Sequence, residues 1–416
     1  MKKCFIILTV FSLVLILAAG TAFAGAFRIP ESGAAAMAQG NAFVGQADDP
    51  SAVHHNPGAI TGLEGNQFMS GLNIISPESE FEGVDMKKET FYVPYLFYTN
   101  HLGEGDWWLG FGVNAPFGLG TEWDSSAAFN AFFRGITPLN PVDIVTKTSL
   151  EIVKISPVAA YRVNDNFSVG FGPEYYYVKE VIYNGGSSDG AGTGWEYTMD
   201  GDGNGLGFTF GSLYQATDAL RIGFSYHSGV TAELSGDAAG LPETSGAPYT
   251  GKASVDLNIP DTYAVGINYR ASEKFSFNVD LDFTQWSDYD KLVFKRPDGS
   301  VIRTITKNYE DVMATRLGGS YYVDNNWTVR VGYFTEPTPV PESTFDPRLP
   351  DADATAISVG AGYDAGSWAT NFAYMAVSKD DRDVNSDEPN PLIDTIYDGV
   401  YKTSIRLISA DVTFRF

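Results

Sequence analysis

Few side chains in this chain are suited to catalysis. Histidine occurs only at positions 54, 55, 101 and 227. His227 stands beside Ser225 and Ser228, residue types from which a hydrolase builds a base and a nucleophile. No third group marks the spacing, so no catalytic residue is assigned and the chain is not expected to be an enzyme. His54 and His55 are adjacent but lack the carboxylate support of an ordinary metal site. Met199-Asp200-Gly201-Asp202-Gly203-Asn204-Gly205 begins like a calcium loop. That loop needs a glutamate at its twelfth position, which here is Gly211. The stretch reads as a turn-rich outer loop, and acidic Lys379–Glu388 as a solvated one. The single cysteine, Cys4, excludes a disulfide scaffold and thiolate-bound zinc. No metal and no cofactor are expected.

The elements that must position any site follow from patterning. Lys2 and Lys3, an apolar run from Phe5 to about Ala19, and Ala22-Phe23-Ala24 form a secretion signal over residues 1–24. The run is too short to span a bilayer as a helix. From Asn66 onward, strand-like runs of roughly ten residues alternate in polarity, as membrane-crossing strands do. Phe277, Val279, Leu281 and Phe283 oppose Asn278, Asp280, Asp282 and Thr284. Val329, Val331 and Tyr333 oppose Thr328, Arg330 and Gly332, and the chain ends on Phe416.

Short turns at 101–106, 162–166, 216–219, 271–274, 324–326 and 364–367 carry Gly, Asn, Asp or Ser. They alternate with long loops near 77–89, 119–147, 180–202, 228–257, 287–310, 336–352 and 378–402. The count is fourteen strands, with both termini on the short-turn, periplasmic side. Tryptophans 107, 108, 327 and 368 flank short turns and 123 and 286 lie at or just past outer strand ends, as an interfacial girdle requires. The expected fold is an all-β, antiparallel transmembrane barrel in the outer membrane of a Gram-negative-type cell, over residues 63–416. A net charge of −24 excludes nucleic acid as a partner. Outer-membrane lipid and lipopolysaccharide remain, with a monomer as the expected state.

Fourteen strands enclose a wide lumen. The segment 25–62 is rich in small residues and turn signals and lacks the charge density of a disordered tail. It is expected to fold inside as a plug; a periplasmic tail is the alternative. Strand parity turns Lys154, Arg221, Arg316 and Arg330 toward that lumen. Lys154 and Arg316 fall where a ligand carboxylate would arrive. Their partner is either such a headgroup or lumenal Glu174, Asp280, Asp282 or the plug. Ala127–Phe133, with Phe129, Phe132 and Phe133, offers an apolar landing surface in an outer loop.

These residues carry a resemblance. Phe27, the small-residue run Gly33–Gly40, Asn41-Ala42-Phe43-Val44, Asp48-Asp49-Pro50-Ser51-Ala52 and Asn56-Pro57 resemble the FadL/TodX family of outer-membrane transporters. So do Ala115-Pro116-Phe117-Gly118-Leu119, Gln285-Trp286-Ser287-Asp288-Tyr289 and Phe345-Asp346-Pro347-Arg348-Leu349-Pro350-Asp351. The resemblance implies uptake of long-chain fatty acids or other hydrophobic molecules, Phe27 included in ligand binding. It implies lateral release through a gap at a kinked third strand, roughly 107–117. The gate residues it suggests are Asn114, Ala115, Pro116 and Gly118, with Asn56, Pro57 and Gly58 packed at the kink. Gly58 replaces the usual alanine, which is expected to loosen the wall. Aromatic hydrocarbons are the alternative cargo, and a structural or adhesive barrel the alternative role.

Overall fold

The computed structural model describes residues 25–123, 143–188, 194–243, 247–384 and 398–416. The expected signal segment lies outside them. Fourteen strands form the wall: β1 (Asn66–Phe81), β2 (Phe91–His101), β3 (Trp107–Asn114, resuming over Gly118–Glu122), β4 (Asp143–Asn164), β5 (Phe167–Ser188), β6 (Gly194–Thr217) and β7 (Leu220–His227). They continue with β8 (Thr262–Arg270), β9 (Phe275–Thr284), β10 (Val312–Tyr322), β11 (Trp327–Glu336), β12 (Ala354–Asp364), β13 (Trp368–Lys379) and β14 (Gly399–Arg415). Sequential strands pair antiparallel. β14 pairs with β1 from Gln67–Arg415 to Phe81–Tyr401, which closes the sheet and removes its edges.

Alternation explains the closure. Phe277, Val279, Leu281, Val329, Val331 and Phe372 are exposed, while Asn278, Asp280, Asp282 and Ser358 are buried. One face therefore meets lipid and the other the interior. Three tryptophans follow the girdle expectation: Trp107, Trp327 and Trp368 are exposed on the outer face. Trp108, Trp123 and Trp286 do not; they are buried inside. Their indoles pack on interior groups, and Trp108 Nε1 donates to Leu63 O at 3.0 Å.

Several expected loops are strand. Val230–Leu241 prolongs β7 and pairs with β6, Glu233 opposite Asn204. Tyr249–Ile259 pairs with it in turn and leads into β8. Lys291–Lys295 and Val301–Thr306 form a hairpin beyond β9. The reason is visible in Val230-Thr231-Ala232-Glu233-Leu234, whose apolar members are buried and polar members exposed. Met199–Gly205 is likewise ladder-paired strand, not a turn-rich loop.

The barrel strands begin and end together, Asn66 N donating to Phe416 O at 3.1 Å. The residues before β1 run up through the interior. Asp411 of β14 accepts from Ala34 N at 2.7 Å, and Asn73 of β1 donates to Glu31 O at 2.8 Å. Asp280 Oδ2 of β9 accepts from Phe43 N and Val44 N at 2.7 and 2.8 Å. Ser168 of β5 donates to Gly58 O at 2.8 Å. Contacts from opposite sides of the wall thus hold the segment, satisfying backbone groups that no ladder reaches. Its first described residue, Gly25, lies against Glu336 at the far end of β11.

Candidate functional site

An apolar pocket of about 80 Å³ lies in the outer half of the barrel. Strand extensions line it with Leu150, Leu234, Val255 and Leu257, and the β9–β10 hairpin adds Phe294. Phe27 borders it from the N-terminal segment, its ring edge-on to Trp286 at 4.7 Å and to Tyr289 at 5.3 Å. Lys307 and Arg348 also border it. Both grip Asp346, at 3.2 and 3.0 Å. Burial alone pushes the Asp346 carboxyl up, but Arg348 and Lys307 hold it well below the usual carboxylate range. Arg348 further donates to the Tyr197 hydroxyl and covers the Tyr183 ring at 4.1 Å. The lining is mostly apolar with two cations at its margin, a composition that fits an apolar molecule with an anionic end, although the volume admits only part of a long one. Leu234, Val255 and Leu257 fall in a stretch that the sequence pattern assigns to the loop near 228–257, so they are not among the expected site residues. Their period-two alternation was the available signal.

Beside this pocket the wall is interrupted. β3 stops at Asn114, leaves the ladder over Ala115 and Pro116, and resumes at Gly118. Pro116 carries no amide hydrogen for a ladder. The β2–β3 pairing ends at Leu96–Val113. Beyond it, the two backbones meet again at the Met86–Trp123 bridge and the bond from Lys87 N to Glu122 O at 2.8 Å, while the Phe91 ring lies against Gly120 and Lys87 pairs with Glu122. The N-terminal segment covers the break from within. Arg28 bridges Phe117, Ile29 N donates to Pro116 O at 2.7 Å, and Gly118 N donates to Phe27 O at 2.8 Å.

The cations expected to meet a ligand are engaged elsewhere. Lys154 is buried and paired with Glu174, with its Nζ 3.1 Å from His54 Nδ1. Glu174 also meets His227 Nδ1 at 2.9 Å, and His227 Nε2 lies 3.1 Å from His54 O. His227 thus joins the N-terminal segment to the wall and makes no hydrogen bond to Ser225 or Ser228. Arg316 is buried between Asp282, at 3.3 Å, and Glu336, at 3.1 Å. Arg28 reaches the same Asp282 at 2.9 Å. Phe129, Phe132 and Phe133 lie outside the described residues.

Asn56, Pro57 and Gly58 are not at the break in β3. Asn56 Nδ2 donates to Val44 O at 3.0 Å and to Ser212 O of β6 at 2.9 Å. Pro57 and Gly58 rest on Gly170 of β5 and Gly211 of β6. The side chains facing the periplasmic half of β3 are Val53 and Ile60, over Gly110. Asn114 is tied inward, its Nδ2 donating to Ser32 Oγ at 2.9 Å.

The chain is similar to a long-chain fatty acid transport protein of Escherichia coli O6:H1, 26% identical over 391 residues and covering 82% of this chain and 84% of that one. Its fold is similar to the crystal structure of a Pseudomonas aeruginosa FadL homologue, with TM-score 0.81, 21% identity, and coverage of 94% of this chain and 100% of that one. It is also similar to the Pseudomonas putida toluene transporter TodX, with TM-score 0.68, 19% identity, and coverage of 94% and 99%. The model of the outer membrane protein transport protein family (OMPP1/FadL/TodX) matches residues 15–416. A closed, fourteen-stranded barrel matching this family model over almost its whole length is a member of the family: the chain is an outer-membrane transporter of hydrophobic compounds.

Proposed function

We propose that the chain takes up long-chain fatty acids and releases them sideways into the membrane through the break in β3. The observation that carries this reading is the apolar pocket with Lys307 and Arg348 at its margin. Each buried methylene lowers the free energy of an alkyl chain by about 0.8 kcal/mol. A carboxylate at its end would compete with Asp346 for the two cations. We assign the headgroup to this pair and not to Lys154 or Arg316, which are ion-paired in the interior. Residues 25–62 act as the plug. Phe27 forms part of the binding surface, and Phe129, Phe132 and Phe133 part of the outer landing surface. Lateral release suits an apolar cargo, which loses free energy in lipid and gains it in water. The protein works as a monomer among lipopolysaccharide and lipid.

Native mass spectrometry of the refolded barrel, equilibrated with a mixture of oleate and toluene, tests the substrate class. Retention of oleate, lost in Arg348→Met, is the expected result. Retention of toluene with no oleate would replace the fatty-acid reading by the hydrocarbon one. That outcome has structural grounds too, because Phe27, Tyr183, Tyr289, Phe294 and Tyr309 ring the same pocket.

A further inference from the structure

A second, polar cavity lies immediately below the apolar pocket. Phe27 borders the first and Arg28 the second, so consecutive residues of the N-terminal segment face the two cavities. The lower chamber encloses about 40 Å³ between the N-terminal segment and β7, β8, β9 and β10. Five buried polar atoms of its lining residues have no hydrogen-bond partner: Asn41 Oδ1, Ser225 Oγ, Asp280 Oδ1, Asp282 Oδ1 and Arg316 Nη1. These residues come from the plug-forming segment and three different strands. Buried polar atoms are rarely left unpaired, and here five of them belong to residues that line one chamber.

The set decides what fits. Four of the atoms are oxygens that can accept, and the fifth is a guanidinium nitrogen that can only donate. A bare cation would be opposed by Arg316 and Arg28. An anion would be opposed by Asp280 and Asp282. A molecule that both donates and accepts serves all five. One water needs roughly 10–15 Å³ of such volume and two to four polar partners, so the chamber has room for about three.

We propose that this chamber is a built water site. An internal cluster of about three water molecules bonds the N-terminal segment, through Asn41, to Ser225, Asp280, Asp282 and Arg316 of the wall. One consequence rests on the transport reading above. An apolar molecule leaving the upper pocket downward would have to strip that water and leave five polar atoms unpaired. The chamber therefore bars the direct route to the periplasm and leaves the covered break in β3 as the way to lipid.

A high-resolution crystal structure of the full mature chain tests the site, with further crystals soaked in rubidium or pressurised with xenon. Two to four ordered waters touching these atoms are expected, with no rubidium or xenon peak in the chamber. A rubidium peak, a xenon peak or a detergent tail there would overturn the proposal. Ser225→Val, on a side chain that makes no hydrogen bond to the rest of the chain, should remove the water held by that hydroxyl and leave the others. An unchanged cluster in that variant would also count against the assignment. Xenon is expected in the upper pocket. Its absence there would weaken the transport reading while leaving the chamber to be judged by its own waters.

Discussion

Gly58 lies on the backbone of Gly211 so closely that a methyl group at position 58 would sit 2.8 Å from the Gly211 carbonyl oxygen. Facing it on β5, a methyl group at position 170 would come closer still to the Pro57 carbonyl carbon. Two glycine-bearing strands thus form a recess into which the Asn56-Pro57-Gly58 turn is pressed. Sequence reading expected glycine at 58 to loosen this wall. The structure gives the opposite sense, because the missing side chain is what permits the contact.

Gly58→Ala is therefore expected to push the turn off β6 and not to tighten it. Overpacking of this kind costs about 1–3 kcal/mol. Limited proteolysis of the purified barrel should show earlier cleavage within residues 25–62, with the barrel strands still protected. Unchanged protection would mean that the recess has slack.

Lys154→Met should act on stability and spare ligand binding. The substitution leaves Glu174 buried with only His227, Tyr176 and Ser156 as hydrogen-bonding partners. Removing one member of a buried ion pair costs about 3–5 kcal/mol. The thermal midpoint should fall, and Lys154→Met with Glu174→Gln should recover part of the loss. Oleate retention by the folded fraction should match the parent. A specific loss of oleate at normal stability would return Lys154 to the ligand site.

Much of this fold was legible because a barrel writes its period directly into the chain. The strand count and the inward direction of Lys154 and Arg316 needed only period-two alternation and turn residues. Even the Lys154–Glu174 pair joins neighbouring strands β4 and β5, so parity alone made it available. The upper pocket was harder to read. It brings Phe27 against Trp286 and Tyr289, residues far apart in sequence whose meeting depends on the path of the segment inside the barrel. The Phe27–Ile29 cover over Pro116 was invisible for the same reason. Two backbone stretches met there, and backbone pairing has no side-chain signature.

The Asp346 cluster should respond to acid. Its carboxyl is held below the ordinary range by Arg348 and Lys307, against the upward push of burial. A carboxyl with a lowered folded-state pKa contributes stability that is present above its unfolded value, about 3.9. That contribution is lost as pH falls through the folded-state value. Hydrogen-exchange protection around Asp346–Leu349, taken relative to the intrinsic rate at each pH, should therefore stay high at neutral pH and fall below about pH 4. Asp346→Asn should show fast exchange at neutral pH and no such acid step. A step that instead appeared on raising the pH would contradict the assigned sign.

Lateral release can be tested by closing the cover over the break. Arg28 and Phe117 form an antiparallel bridge, flanked by the bonds from Ile29 N to Pro116 O and from Gly118 N to Phe27 O. Those bonds point away from the pair, which makes it a non-hydrogen-bonded site with Cα atoms about 4.5 Å apart. That spacing accepts a disulfide. Arg28→Cys with Phe117→Cys, in a chain whose one native cysteine is Cys4 and with Cys4→Ser added, should lose oleate uptake when oxidised and regain it on reduction. Comparing the two redox states of one variant cancels the loss of the Arg28–Asp282 ion pair. A control staple, Glu80→Cys with Asp85→Cys, joins paired residues of an outer hairpin and should leave uptake unchanged in both states. Uptake that persists through the oxidised Arg28–Phe117 staple would mean the ligand leaves by another route.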